Sequence, residues 1–234
     1  MTKATLPKVR RAEKLRPKTI LITSPKGGSG KSTIARALAV RAAQLGHNVV
    51  ALDFDAQRTL TKWFSKRPEE GRSNIRVEST EFDGWSTRVF DLQNELDVAG
   101  RLTAEILIID LPPGVEHAMS TVRGMIERAD LVLVPTQPSE DDIESVEPWM
   151  ESVRRLNDRA AYVLNRENRQ ARSTTDYQNR LLSTGRLCPI LIPESEEVKK
   201  AHTHGCTVLD ITLRSEVPKR FEGLYSLVAQ EIGI

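Results

Sequence analysis

The stretch Ser24-Pro25-Lys26-Gly27-Gly28-Ser29-Gly30-Lys31-Ser32-Thr33 decides the fold. It follows a short apolar run, Thr19–Thr23 (TILIT), and opens a helix-length segment, Ser32–Leu45. A strand, a glycine-rich turn and a helix N-terminus, in that order, make a phosphate-binding loop. Gly27, Gly28 and Gly30 let the backbone curl so that several N–H groups, around Ser29, point at one anion. Lys31 adds a point charge for the β- and γ-phosphates of a nucleotide. The Ser32 hydroxyl suits Mg²⁺, and Thr33 is placed for the α-phosphate.

Outward from the loop, short apolar runs alternate with longer amphipathic ones. The strands expected are Thr19–Thr23, Asn48–Asp53, Glu105–Asp110, Asp130–Pro135, Ala160–Leu164 and Leu187–Ile192. Their continuous Ile, Leu and Val content is that of strands covered on both faces. Helix-length segments lie between and after them: Ser32–Leu45, Ser139–Leu156, Ala171–Ser183, Glu194–His204 and Lys219–Ile232. The pattern predicts an α/β fold with a doubly wound, mostly parallel sheet, a P-loop NTPase in a single domain over residues 19–234. Residues 66–100 are the least legible; Trp85–Val98 has helical character and Pro68–Asn74 reads as a loop.

Two further segments carry acids where such sheets place their chemistry, at the C-terminal ends of strands. One is LDFDAQ, with Asp53, Asp55 and Gln57; the other is IIDLPPG, with Asp110 followed by Pro112 and Pro113. Asp110 after four apolar residues, some 80 residues beyond the loop, reads as a Walker B carboxylate for Mg²⁺. A loop-capping acid is the plain alternative for Asp53, and a turn residue for Asn165 at the end of VLNR.

Pro25 stands where the common G-x-x-x-x-G-K-[ST] pattern has glycine, and Lys26 opens the loop instead. This K-G-G-x-G-K-[ST] form, with D-x-D-x-Q and I-I-D-x-P-P behind it, resembles the deviant Walker A box of the ParA/MinD superfamily of ATPases. Ala56 departs from the family's usual Pro. The resemblance implies that Lys26 reaches the nucleotide of a partner subunit in an ATP-bound homodimer. It implies that Asp55 positions the attacking water, with Asp53 near the magnesium. It also makes Asn165 an adenine contact, with Pro193 and Glu194 near the base, and Gly205 the free residue of a turn.

Within the superfamily the short, partition-type members are the nearest in pattern. No C-x-x-C pair or tyrosine-rich tail is present, and the last segment, FEGLYSLVAQEIGI, has an apolar face but no basic one. Such members imply nonspecific DNA binding by the ATP dimer and slow hydrolysis stimulated by a partner protein. Two rivals stay open: an enzyme that phosphorylates or activates a small molecule, which needs a second pocket near Asp55, and a MinD-like membrane-positioning factor.

Composition bounds these readings. The chain has 234 residues, 39% hydrophobic and 28% charged, as in a soluble globular protein. Two cysteines, no secretory h-region and no membrane-length apolar run favour a cytoplasmic setting, and the partition-type resemblance implies association with the nucleoid there. The net charge of +2 is unevenly laid out. Residues 1–18, expected to be a flexible tail, carry seven Lys/Arg against one Glu; residues 154–186 carry eight Arg against three acids. Such runs are either solvated faces or phosphate-backbone contacts. Arg166, Arg169, Arg172, Lys199, Lys200, Arg214, Lys219 and Arg220 are the candidates for DNA. Trp63 and Trp149 read as packing residues, as does Trp85, and His202 and His204 as surface polar residues.

Overall fold

The alternating apolar runs do become strands: β1 (Lys18–Ile22), β2 (Val49–Asp53), β3 (Ile75–Ser79), β4 (Ile106–Asp110), β5 (Leu131–Thr136), β6 (Ala160–Glu167), β7 (Arg186–Leu187) and β8 (Ile192–Pro193). The computed structural model describes residues 16–80, 104–167, 173–211 and 215–234. The sheet order is β3-β2-β4-β1-β5-β6-β7, with β8 pairing beside β6, and every pairing among the described residues is parallel. The reversal of winding at β1 puts the loop after it at the switch point, where open α/β sheets bind ligands.

The helices are α1 (Lys31–Gln44), α2 (Thr59–Ser65), α3 (Met119–Arg128), α4 (Glu140–Arg154), α5 (Ser173–Thr184), α6 (Glu196–Thr203) and α7 (Val217–Ile232). Successive strand residues alternate between two cores. Ile20, Ile22, Val49, Ala51, Ile106 and Ile108 pack with α1, α2 and α7. Leu21, Val50, Leu52, Leu107 and Ile109 pack with α3, α4 and α5. Each fully buried Ile or Leu is worth roughly 1.5–3 kcal/mol of apolar transfer. The central strands are therefore the firmest part of the fold, and the phosphate loop is hung directly from one of them.

Several sequence expectations need correction. The run Leu187–Ile192 is not one strand. Pro189 lacks the N–H a ladder requires, and the chain pairs only as the two-residue strands β7 and β8 on either side of it. β6 runs three residues past Leu164, so Asn165 and Arg166 belong to the strand. α2, β3 and α3 were not among the expected elements, and Pro68–Asn74 contains a 3₁₀ turn at Glu69–Gly71. The expected helix Trp85–Val98 and most of the tail, residues 1–15, lie outside the described residues.

α2 is fastened by long-range contacts. Thr61 donates to Asp53 from both its N–H and its hydroxyl, each at 2.8 Å. The Trp63 indole donates to the Cys206 carbonyl at 3.1 Å. Arg67 forms a two-pronged ion pair with Asp210 at 2.8 and 2.6 Å. The guanidinium carbons of Arg36 and Arg67 lie 5.6 and 5.4 Å from the Trp63 ring centre. Trp63 and Trp149 are buried in the two cores, as their packing role required.

Candidate nucleotide site

α1 begins without a side-chain cap and without an acid in its first turn, its N-cap being Gly30. α4 and α6 instead start on Ser139 and Ser195 caps and carry acids in their first turns. The N-terminal N–H groups and positive dipole end of α1 are thus left for a ligand. The Lys31 ammonium is folded back onto the loop, 3.0 Å from the Lys26 carbonyl and 3.4 Å from that of Ser24. Burial lowers its pKa, against the opposing charges of Asp110, Asp55 and Glu116.

Three neighbours brace the loop. The Gln137 amide donates to the Gly28 carbonyl at 2.8 Å. Gly114 N–H donates to the Pro25 carbonyl at 2.9 Å. The Asn165 amide donates to the Ser29 carbonyl at 3.0 Å. Asn165 is so close that a Cβ on Gly30 would fall 1.9 Å from its Nδ2, and Gly30 has φ +102°. Gly30→Ala is therefore expected to displace Asn165, open the loop and weaken nucleotide binding by about tenfold or more. Titration with a fluorescent ATP analogue checks this, and unchanged affinity would show that the brace is dispensable.

Asp110, at the end of β4, is 1% exposed. Among the described residues neither of its carboxylate oxygens has a hydrogen-bond partner. Burial lifts its pKa to about 7, Asp53 adding to the rise; Ser32, Lys31 and Arg36 act against it. Ser32 is a near neighbour, but its hydroxyl is outside the geometry of a formed hydrogen bond. A buried, unsatisfied carboxylate beside a hydroxyl is the donor chemistry of a hard divalent cation, so the residues fit Mg²⁺. Asp53 is more committed. Its oxygens already accept from Thr61 and from Asp55 N–H, the latter at 3.2 Å, so it caps α2 and shapes the loop while lying beside Asp110. Ser29 Oγ is also buried without a partner among the described residues.

A cleft of about 260 Å³ is lined by Gly27, Gly28, Gly30, Lys31, Ser32, Thr33, Asp55, Gln57, Pro113 and Arg166, among others. A smaller pocket of about 100 Å³ adjoins it through Thr33 and Arg166, with Asn165, Pro193, Glu194 and Phe221 in its wall. Lys26 lines neither. Its side chain is 38% exposed and its ammonium lies 3.9 Å from the exposed Asp141 carboxylate.

A protein-family model matches residues 20–208, that of the CobQ/CobB/MinD/ParA nucleotide binding domain. The chain belongs to this family. Among its relatives, "Protein ParA" of Rhizobium radiobacter is 36% identical over 119 residues, 51% of this chain. The match spans about half of that relative's length, 48%. The MinC:MinD cell division complex of Aquifex aeolicus superposes with a TM-score of 0.73 at 18% identity, over 91% of this chain and 96% of that one. MinD of Pyrococcus horikoshii, complexed with Mg-ADP, gives 0.69 at 16% identity, over 93% and 98%. The α/β, doubly wound P-loop fold is thereby shown.

Within this CobQ/CobB/MinD/ParA frame, the basic candidates are partly gathered. Lys199 and Lys200 lie on α6, Lys219 and Arg220 on the first turn of α7, and Arg166 at the end of β6. Ser215 Oγ donates to Glu197 at 2.6 Å, tying the start of α7 to α6. Arg166, Lys199 and Phe221 share the wall of the smaller pocket. Lys199 and Lys219 are in ion pairs with Glu196 and Glu216. Arg169, Arg172 and Arg214 lie outside the described residues.

Sequence reasoning missed Arg36 and Gln137, and read His202 as a surface polar residue. Arg36 is 7% exposed, a guanidinium buried one helical turn beyond Ser32; burial lowers its pKa to about 10 while Asp110 and Asp53 act to raise it. A charged residue in the buried run IARALAV was the available signal. His202 is half-buried rather than a plain surface residue, and burial, with Arg36 nearby, lowers its pKa to about 4.

Proposed function

We propose that the chain is a magnesium-dependent ATPase that dimerises around two nucleotides and acts as a switch in partition or positioning of DNA or another cargo. The observation that carries the proposal is the division of labour between the two loop lysines. Lys31 is buried within the loop beside Asp110, whereas Lys26 stands outside the cleft, its one ion pair among the described residues a long, exposed contact to Asp141. Such a contact is worth little, so Lys26 is free to reach across to a second subunit. Asp55 lies in the cleft wall, which supports a role for it in orienting the attacking water. Bound Mg²⁺, held by Asp110 and Ser32, would supply charge neutralisation for phosphoryl transfer, with Asp53 fixing the loop beside it.

In this reading Asn165 and Pro193 flank the base, and the basic residues around α6 and α7 face the phosphate backbone of DNA in the dimer. Hydrolysis is slow until a partner protein completes the site, and the ATP state is the one that holds DNA. Membrane anchoring by the last helix is disfavoured because α7 buries Phe221, Leu224, Tyr225, Val228 and Ile232 against the domain. No helix among the described residues is long and apolar enough to cross a membrane. A second reading, transfer of the phosphoryl group to a small molecule, draws support from one observation: a further pocket beyond Gln57 and Thr59.

Lys26→Ala is the direct test. It is expected to leave ATP affinity within about twofold and to abolish ATP-driven dimers in light scattering, because an exposed side chain outside the cleft contributes little to its own nucleotide. Unchanged dimerisation would remove the trans-acting role.

A further inference from the structure

Beside the nucleotide cleft lies a pocket of about 450 Å³ lined by Arg36, Gln57, Thr59, Lys62, Trp63, Lys66 and His202. Arg36, Gln57 and Thr59 also line the cleft, so the two spaces share a wall. The shared wall is on the side of Asp55, where the terminal phosphate of a bound nucleotide would be cleaved. The pocket's lining holds three cations and no carboxylate.

Arg36 is built in rather than incidental. It is 93% buried, and among the described residues its Nε has no partner and its only hydrogen bond is from Nη2 to the Thr59 carbonyl at 2.8 Å. Lys62 and Lys66 are exposed at the rim and make no ion pair among the described residues. His202 is held neutral and offers a hydrogen bond without charge. The Trp63 face is already covered by Arg36 and Arg67, so the pocket offers charge and hydrogen bonds rather than a stacking surface.

We propose that this pocket is the exit and holding site for orthophosphate cleaved from ATP, received by Arg36 and drawn outward by Lys62 and Lys66 while the nucleoside diphosphate still occupies the loop. The inference rests on the ATPase reading above, and it makes phosphate release a step with its own residues. A cationic, carboxylate-free pocket next to a site that generates a multiply charged anion lowers the cost of moving that anion away from the acids at Asp53 and Asp110.

The test has two arms. In the Lys31→Ala chain, whose phosphate loop is disabled, orthophosphate is titrated by ³¹P NMR at physiological ionic strength. Saturable binding is expected, weakened about fivefold or more when Lys62→Ala and Lys66→Ala are added, two exposed changes that leave the core untouched. Absence of saturable binding, or identical isotherms with and without the two lysines, would overturn the proposal. In the otherwise native chain, acid-quench measurement of cleavage is compared with a phosphate-sensor measurement of release. The double lysine variant is expected to slow release relative to cleavage; an unchanged ratio would also overturn it. A chain that never cleaves ATP would contradict the ATPase reading instead, and the direct titration alone then decides whether the pocket takes orthophosphate.

Discussion

Asp110→Asn is expected to stabilise the nucleotide-free protein and to abolish magnesium-dependent nucleotide binding. The carboxylate is fully buried with both oxygens unsatisfied, so its charged form is costly in the absence of a cation. Its pKa is raised to about 7 by that burial. A carboxyl whose folded value lies above its unfolded one binds more protons when folded. Stability is therefore lost as pH rises from the ordinary carboxylate range to about 7, and is flat above it. The shift corresponds to a penalty on the order of 4 kcal/mol at alkaline pH, as an upper figure. The amide carries no charge, so the variant should melt higher than its parent at pH 8, with the difference shrinking towards pH 4. Mg²⁺ with nucleotide should raise the melting temperature of the parent strongly and that of the variant little. Equal melting curves at both pH values would show that the buried carboxylate is satisfied in solution by something other than a cation.

Gly205→Ala is expected to be the most damaging small substitution outside the site. Gly205 has φ +70°, and a Cβ there would lie 2.4 Å from Arg67 N and from the Lys66 carbonyl carbon, and 2.6 Å from Arg67 Cα. These are backbone atoms at the end of α2 and cannot swing aside as a side chain would. The same turn receives the Trp63 indole at Cys206 and the Arg67–Asp210 pair. Separating it from α2 would break all of these together. The loss should exceed about 3 kcal/mol, or roughly 10 °C in melting temperature for a domain of this size. Because α2 also borders the Arg36 pocket, nucleotide turnover should fall with it. A variant that melts within a few degrees of its parent would mean that the 205–210 turn is not locked to α2.

The sheet was readable from sequence because its central strands are buried on both faces, and such runs have little freedom to be anything else. The phosphate loop and Asp110 were readable because their chemistry needs particular residues in a particular order. α2 was not, because no residue at its own start caps it: Asp53, at the end of β2, accepts from the Thr61 N–H and hydroxyl once the intervening loop folds back, and Arg58 before the helix adopts φ +52°. α3 did carry a signal, Val122, Met125 and Ile126 on one face, but its ten residues follow a 3₁₀ turn rather than a side-chain cap that would mark its start. Asp53 shows how two readings can hold at once: it is the capping acid that composition allowed and also a neighbour of Asp110. Arg36 and Gln137 escaped because their meaning is set by what lies across from them, an acid pair and a loop carbonyl, which no local pattern reveals.

Nucleotide-gated DNA binding is the property that most directly separates a partition-type switch from its rivals. Association with nonspecific duplex DNA should be measured with ATP, with ADP and without nucleotide, each at two salt concentrations. Binding that appears only with ATP and weakens steeply with salt is the predicted result, since the proposed ATP dimer would bring the basic residues around Arg166, α6 and α7 of two subunits onto one phosphate-binding face. Equal binding in all three nucleotide states, or none in any, would contradict it.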